Sequence, residues 1–270
     1  MKRTTARIWG FGAAVALGAL AVAATAIPAQ AASDDPGTRV VGGSPAADGD
    51  YPWAVHLSMG CGGSLLTEQV VLTAAHCVDG TGENGDITAQ YGSTKLDSPD
   101  VKEYKSAYVH QSETYASDGK GDWALIKLAE PVADAVTIPM AETPDLDEGP
   151  EFQILGWGDT EEGSGQGSNE LLHATVGFID DETCAKGEGE AYKNFDPQGE
   201  LCAGNWEEGG TDTCQGDSGG PMVTKNAEGE WVQVGVVSYG EGCARPRAPG
   251  VYTQVSNWHG DITAALDALP

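Results

Sequence analysis

Basic residues are scarce in this 270-residue chain: 14 Lys and Arg stand against 41 Asp and Glu, a formal charge of −27. A surface of that sign repels a phosphate backbone, which excludes nucleic acid as a partner. It draws cationic substrates at low salt instead. Beyond Ile27 no long apolar run occurs, so no later segment is suited to span a bilayer as a helix. C-x-x-C pairs and zinc-type histidine spacings are missing, and neither a metal nor another cofactor is expected. Internal repeats and low-complexity linkers are missing too, and the length fits one compact unit or two closely joined halves.

What is present begins with an export pattern. Lys2, Arg3 and Arg7 precede an apolar run from Ile8 to Ile27, and Ala29-Gln30-Ala31 supplies a small-x-small cleavage site. Gly10, Gly12, Gly18 and Pro28 interrupt the run, which argues against a membrane anchor. Residues 1–31 therefore read as a signal peptide, and the rest as a secreted, extracellular protein free of the membrane. Six cysteines, all downstream, suit an oxidising compartment and can form three disulfides, with fifteen connectivities open by spacing alone.

Glycine, at 38 residues, argues for many turns. Short stretches alternate apolar and polar: Trp231 to Val236, Phe152 to Ile154, and Val251 to Val255. Such half-buried strands between turn residues indicate an all-β sandwich or barrel. The carboxyl end reads as a helix capped by Asn257, with Trp258, Ile262 and Leu266 on one face and Pro270 closing it. Gly163 to Asn169 reads as a mobile loop.

Three stretches carry chemistry. Ser218 lies in Gly216-Asp217-Ser218-Gly219-Gly220-Pro221, between an acid and two glycines. Serine is a weak nucleophile at neutral pH and needs a base in reach, oriented by a third group. His76 follows an apolar strand and sits beside Cys77, and Asp122 opens another strand, which can bury it so that it accepts the imidazole Nδ1 proton. Each alone is weak; in this order "LTAAHC", "DWALIKL" and "GDSGGP" resemble the trypsin/chymotrypsin family of serine proteases, closest to secreted actinobacterial trypsins. The resemblance covers Val40 to the end of the chain.

The resemblance implies two packed six-stranded antiparallel β-barrels with a terminal α-helix, and a catalytic triad of Ser218, His76 and Asp122. It implies an oxyanion hole from the Gly216 and Ser218 N–H groups, and support of Asp122 by Ser238. Asp212, six residues before Ser218, takes the place of the acid that selects Arg or Lys in trypsins. Ser238, Tyr239 and Gly240 would form the edge that binds the substrate backbone, with Gly240 and Gly250 as pocket walls. Thr213 departs from the usual serine or alanine. Arg39-Val40-Val41-Gly42-Gly43 resembles an activation site: cleavage after Arg39 would free a Val40 ammonium to pair with Asp217, leaving 32–39 as propeptide and 40–270 as protease domain. The disulfides implied are Cys61–Cys77, Cys184–Cys202 and Cys214–Cys243.

The expected function is thus that of a secreted serine endopeptidase, made as a zymogen and cutting after Arg and Lys; its partners are peptide or protein substrates with Arg or Lys at the cleaved bond, and protein protease inhibitors. A monomer is expected. A catalytically silent binding protein of the same fold is the alternative, and replacement of a triad member would mark it. His56, His110, His173 and His259 lack partner motifs and read as surface or packing residues.

Overall fold

Alternating apolar residues become the inward faces of two closed sheets. A computed structural model of the chain describes residues 40–270 and Gly10. Apart from Gly10, the expected signal peptide (1–31) and propeptide (32–39, including Arg39) lie outside the described residues.

The chain opens with a two-residue strand, β1 (Ser44–Pro45). The first barrel follows: β2 (Ala54–Leu57), β3 (Cys61–Thr67), β4 (Val70–Thr73), β5 (Gly82–Glu83), β6 (Thr88–Tyr91), β7 (Lys102–Gln111) and β8 (Ala124–Leu128). Its ring runs β7-β6-β2-β3-β4-β8 and closes through β7–β8, with β5 attached outside on β7. The second barrel takes β9 (Glu151–Gly156), β10 (Leu172–Ile179), β11 (Glu200–Gly204), β12 (Pro221–Lys225), β13 (Trp231–Tyr239) and β14 (Gly250–Gln254). This ring runs β10-β11-β14-β13-β12-β9 and closes through β10–β9, with β1 attached on β10. Every pairing within the two rings is antiparallel. The two closed six-stranded barrels are those expected.

Closure removes the sheet edges that would otherwise expose unpaired backbone groups. Val55, Leu57, Leu65, Val71, Ile126 and Leu128 fill the first ring. Phe152, Ile154, Val176, Met222, Val234 and Tyr252 fill the second. Each such side chain contributes about 1.5–3 kcal/mol when fully buried. Apolar residues of both rings also meet each other: Trp53 and Ala54 pack in one cluster with Leu155 and Val223. Within this seam the Ser64 hydroxyl donates to Gln233 Oε1 at 2.5 Å, and Gln233 Nε2 donates to the Gly235 carbonyl at 3.1 Å.

The terminal helix forms, with a different start. It spans Val255–Ala268, so Asn257 lies inside it and Gln254 precedes it without a side-chain cap. Val255, read as the end of a strand, is its first residue; β14 stops at Gln254. Burial of Val255 and Ile262, with Trp258 and Leu266 packed alongside, sets this boundary in place of a cap. Two short helices escape sequence periodicity because neither completes two turns. Glu113–Asp118 is capped by Ser112 and stopped by Gly119 at φ 78°; Asp181–Cys184 is capped by Asp180. The three disulfides pair as the resemblance implied: Cys61–Cys77, Cys184–Cys202 and Cys214–Cys243.

Candidate active site

His76 and Asp122 come from the first barrel, Ser218 and Ser238 from the second, and hydrogen bonds join the two barrels at Asp122 and at the Ser218 carbonyl. His76 lies in the single turn after β4, and Asp122 lies two residues before β8, which pairs with β4. The His76 ring joins Asp122 Oδ2 through Nδ1 at 2.7 Å, and its backbone N–H donates to Oδ1 at 2.9 Å. From the other barrel the Ser238 hydroxyl donates to Asp122 Oδ2 at 2.5 Å, and Thr253 Oγ1 donates to the Asp122 carbonyl at 2.8 Å. A register shift between Val237 and Tyr239 in the β13–β14 pairing accompanies this placement of Ser238. Burial pushes the Asp122 carboxyl upward, but the hydrogen bonds and charge of His76 and the Ser238 hydroxyl outweigh it, holding the group below the ordinary carboxylate range.

Ser218 is held through its backbone. Its carbonyl accepts the Gly62 N–H at 2.7 Å. Gly62 follows Cys61, which is bridged to Cys77 beside His76. One disulfide thereby ties the surroundings of both side chains. The hydrogen bond of the His76 ring goes to Asp122, and none joins it to the Ser218 hydroxyl. Glycine is required at 219, where φ is +77° and a Cβ would overlap Thr73 Oγ1 and approach the Gly62 carbonyl at 2.7 Å. Gly216, at φ +96°, is the other residue of this turn that needs the left-handed region.

Beside Ser218 opens a slot of about 210 Å³, whose lining includes Asp212, Thr213, Ser238, Tyr239, Gly240 and Gly250. Asp212 closes it and is 3% exposed. Its Oδ1 accepts the Thr213 N–H at 2.8 Å and lies 3.4 Å from the Thr213 hydroxyl; its Oδ2 accepts the Ala244 N–H at 3.2 Å. No cation pairs with it among the described residues. Burial pushes its carboxyl up to about 7 against those amides, and the charge of Asp217 adds to the rise. A buried carboxyl without a cation at the end of a cavity is what a cationic ligand satisfies. A Cβ at Gly250 would approach Asp212 Oδ1 at 2.6 Å, so that glycine makes room for the acid itself. At Gly240 a Cβ would meet nothing of the protein closer than 3.8 Å. The space that Gly240 leaves therefore belongs to the slot.

Asp217, next to Ser218, is fully buried. Its Oδ1 accepts the Gly158 N–H and its Oδ2 the Cys214 N–H, both at 2.8 Å. Burial pushes this carboxyl up to about 7, opposed by the two amides and reinforced by Asp159. Gly156 and Gly158 form its cradle, since a Cβ on either would overlap the carboxylate. Val40 is fully buried in the second barrel's core cluster, and Val41 bridges to Asp212. Gly42 turns the chain there at φ +76°, where a Cβ would overlap the Gly210 carbonyl.

A model of the trypsin family matches residues 40–259. The chain belongs to the trypsin family. This trypsin-family chain is 48% identical to a trypsin-like protease of Streptomyces glaucescens over 95% of its own length and 93% of the relative's. It is 39% identical to a trypsin of Saccharopolyspora erythraea, over 85% and 99% of the two lengths. Against transmembrane protease serine 11C of Mus musculus the identity is 33%, over 84% of this chain and 54% of that one. The protein is a serine endopeptidase of actinobacterial type.

Some surroundings of the site carry no local signal in the sequence. Tyr239 donates its hydroxyl to Glu200 at 2.9 Å, and Lys120, two residues before Asp122, pairs with Asp196 of the other barrel at 2.9 Å. Such pairs depend on contacts between distant segments. The loop 163–169 is no free excursion: Asp159 collects its amides, from Gly165 at 2.7 Å and Gly167 at 2.9 Å. Three of the remaining histidines have packing contacts: His56 with Gln90 and Trp157, His110 stacked on Trp123, and His173 with Tyr51.

Proposed function

We propose that the mature chain is a secreted endopeptidase that cuts peptide bonds after arginine and lysine. The observation that carries this reading is the slot beside Ser218 that ends on Asp212, a buried carboxyl without a cation. An arginine or lysine side chain supplies the missing charge. An apolar side chain leaves the acid unpaired, and the penalty on that wrong substrate gives the specificity. Arginine can pair through two parallel hydrogen bonds, and lysine as a point charge.

In the reaction Ser218 attacks the scissile carbonyl while His76 takes its proton. Asp122, kept ionised by its donors, holds the Nδ1–H tautomer and stabilises the imidazolium. The Gly216 and Ser218 N–H groups receive the oxyanion. His76 then gives the proton to the leaving amine, and water repeats the sequence on the acyl-enzyme. The substrate backbone pairs along Ser238 to Gly240, with the basic side chain in the slot.

The same reading makes the chain a zymogen. Cleavage after Arg39 creates the Val40 ammonium, and Asp217, buried and raised, is the acid that it would neutralise. The signal pattern of residues 1–31 supports export, and no described helix is long and apolar enough to cross a membrane. Peptide substrates, protein inhibitors and a monomeric state complete the proposal. It is tested on secreted, active protein by three measurements together: amino-terminal sequencing, labelling with an organophosphorus serine reagent, and hydrolysis of Arg, Lys and Phe amide substrates. Val40 at the amino terminus, stoichiometric label on Ser218 and preference for Arg and Lys are expected. Absence of label on processed protein would support the silent binding protein instead.

A further inference from the structure

Asp159 is a buried carboxyl that the reaction above does not use. It is 3% exposed, yet it lies in a loop whose other residues are mostly exposed. Its carboxylate is wrapped by that loop, Oδ2 accepting the Gly165 N–H and Oδ1 the Gly167 N–H. Both glycines have positive φ, +63° and +61°, which lets their amides turn inward. Burial pushes the carboxyl up, but the loop amides and the Ser164 hydroxyl outweigh it and hold the group below its ordinary range.

The backbone of Asp159 points the other way. Its N–H donates to the Gln215 carbonyl at 2.6 Å, and the Gly163 N–H reaches the Gln215 side-chain oxygen at 3.3 Å. Gln215 C=O and Gly216 N–H belong to one peptide group, planar and trans. Fixing the oxygen therefore fixes the direction of the N–H, on the opposite side of the same plane. The contact is tight: a Cβ on Gly216 would come within 2.9 Å of Gly158 Cα. A freed Gln215 carbonyl could rotate and turn its own negative end toward the developing oxyanion.

We propose that Asp159 is a positioning residue for the oxyanion hole: by gathering the loop amides it seats its own N–H on the Gln215 carbonyl and so aims the Gly216 N–H into the cleft. The inference rests on the roles given above to Ser218 and Gly216. Asp159 acts through the peptide, not on the substrate, so its effect belongs to the transition state and to any ligand with an oxygen in the oxyanion hole. A ligand confined to the slot does not sense it.

The test uses the processed chain and its Asp159→Asn variant, with active-site concentration set by titration of Ser218. Displacing the donor is expected to lower kcat for an arginine amide roughly tenfold to a hundredfold, with KM little changed. Affinity for an arginine boronate, which places an oxygen in the oxyanion hole, should fall in parallel. Affinity for benzamidine, which fills the slot alone, should stay within about twofold, as expected of a ligand that gains nothing in the transition state. Wild-type kcat and boronate affinity in the titrated variant overturn the proposal, as does an equal loss for both ligands, which marks a general structural role. If the asparagine chain does not fold, Gly165→Ala decides by the same criteria, since it strains the cradle where a Cβ meets no other atom. A wild-type enzyme without label on Ser218 would refute the proposed reaction itself; a labelled enzyme indifferent to Asp159→Asn refutes this inference alone.

Discussion

Ser238 of the second barrel donates its hydroxyl to Asp122 of the first at 2.5 Å, on the same carboxylate oxygen that meets the His76 ring. The orienting acid is thereby held from both sides of the cleft. Ser238→Ala removes a hydrogen bond to a charged group, about 1.5–3 kcal/mol. The expected loss in kcat is roughly tenfold to a hundredfold at equal active-site concentration, from that range. An unchanged kcat would show that His76 fixes Asp122 unaided.

Asp212→Ser is expected to lower kcat/KM for arginine substrates by orders of magnitude. Labelling of Ser218 by a small uncharged organophosphorus reagent should continue, because such a reagent offers Asp212 no charge to pair with. Retained arginine preference would place the specificity elsewhere.

The raised Asp212 carboxyl gives a pH signature. Free enzyme holds a proton there below about 7, and a bound amidinium selects the carboxylate. Benzamidine binding near pH 7 should therefore release protons, seen as a dependence of calorimetric heat on buffer ionisation. Affinity should weaken as pH falls below about 7. Binding without proton release at that pH would contradict the unpaired, buried state of the acid.

Stability follows the same linkage. Asp212 and Asp217 are raised above the ordinary carboxylate value near ~3.9, so the folded chain binds more protons than the unfolded chain between that value and about 7. Their contribution to stability is full below the ordinary value and is lost as pH rises to about 7. An uncut Arg39→Gln chain should therefore lose more stability between pH 5 and 7.5 than its Asp212→Asn counterpart, by denaturant titration. Equal losses would remove Asp212 from the balance.

Much of this architecture was legible beforehand. The alternation around Phe152, Trp231 and Val251 marked strands, and the stretches around His76, Asp122 and Ser218 carried the family. Local patterns could not reveal what depends on distant contacts. The terminal helix (Val255–Ala268) begins before Asn257 because Val255 is buried by the assembled barrels, which outweighs the missing cap. The loop 163–169 looked free because glycine and serine carry no sign of the carboxylate that organises them. Lys120 and Asp196 lie far apart in the chain and meet only across the cleft.

Gln233 tests the seam. Replacing it by alanine leaves the Ser64 hydroxyl and the Gly235 carbonyl without their partners. A loss of about 1–3 kcal/mol per buried orphan is expected, a fall of roughly 2–4 °C in Tm for each kcal/mol at this size. The titrated kcat should be unaffected, since neither group faces substrate. A wild-type Tm would show that water replaces the missing amide.

The strap that Asp159 holds in place lies within a stretch, Leu128 to Ala185, that contains neither lysine nor arginine. An enzyme that severs chains after basic residues finds nothing there to cut. If the chain cuts after basic residues as proposed, neighbouring copies at high concentration have no means of disarming one another at this segment, and longevity in crowded solution follows from the choice of residues as much as from the folding of the loop.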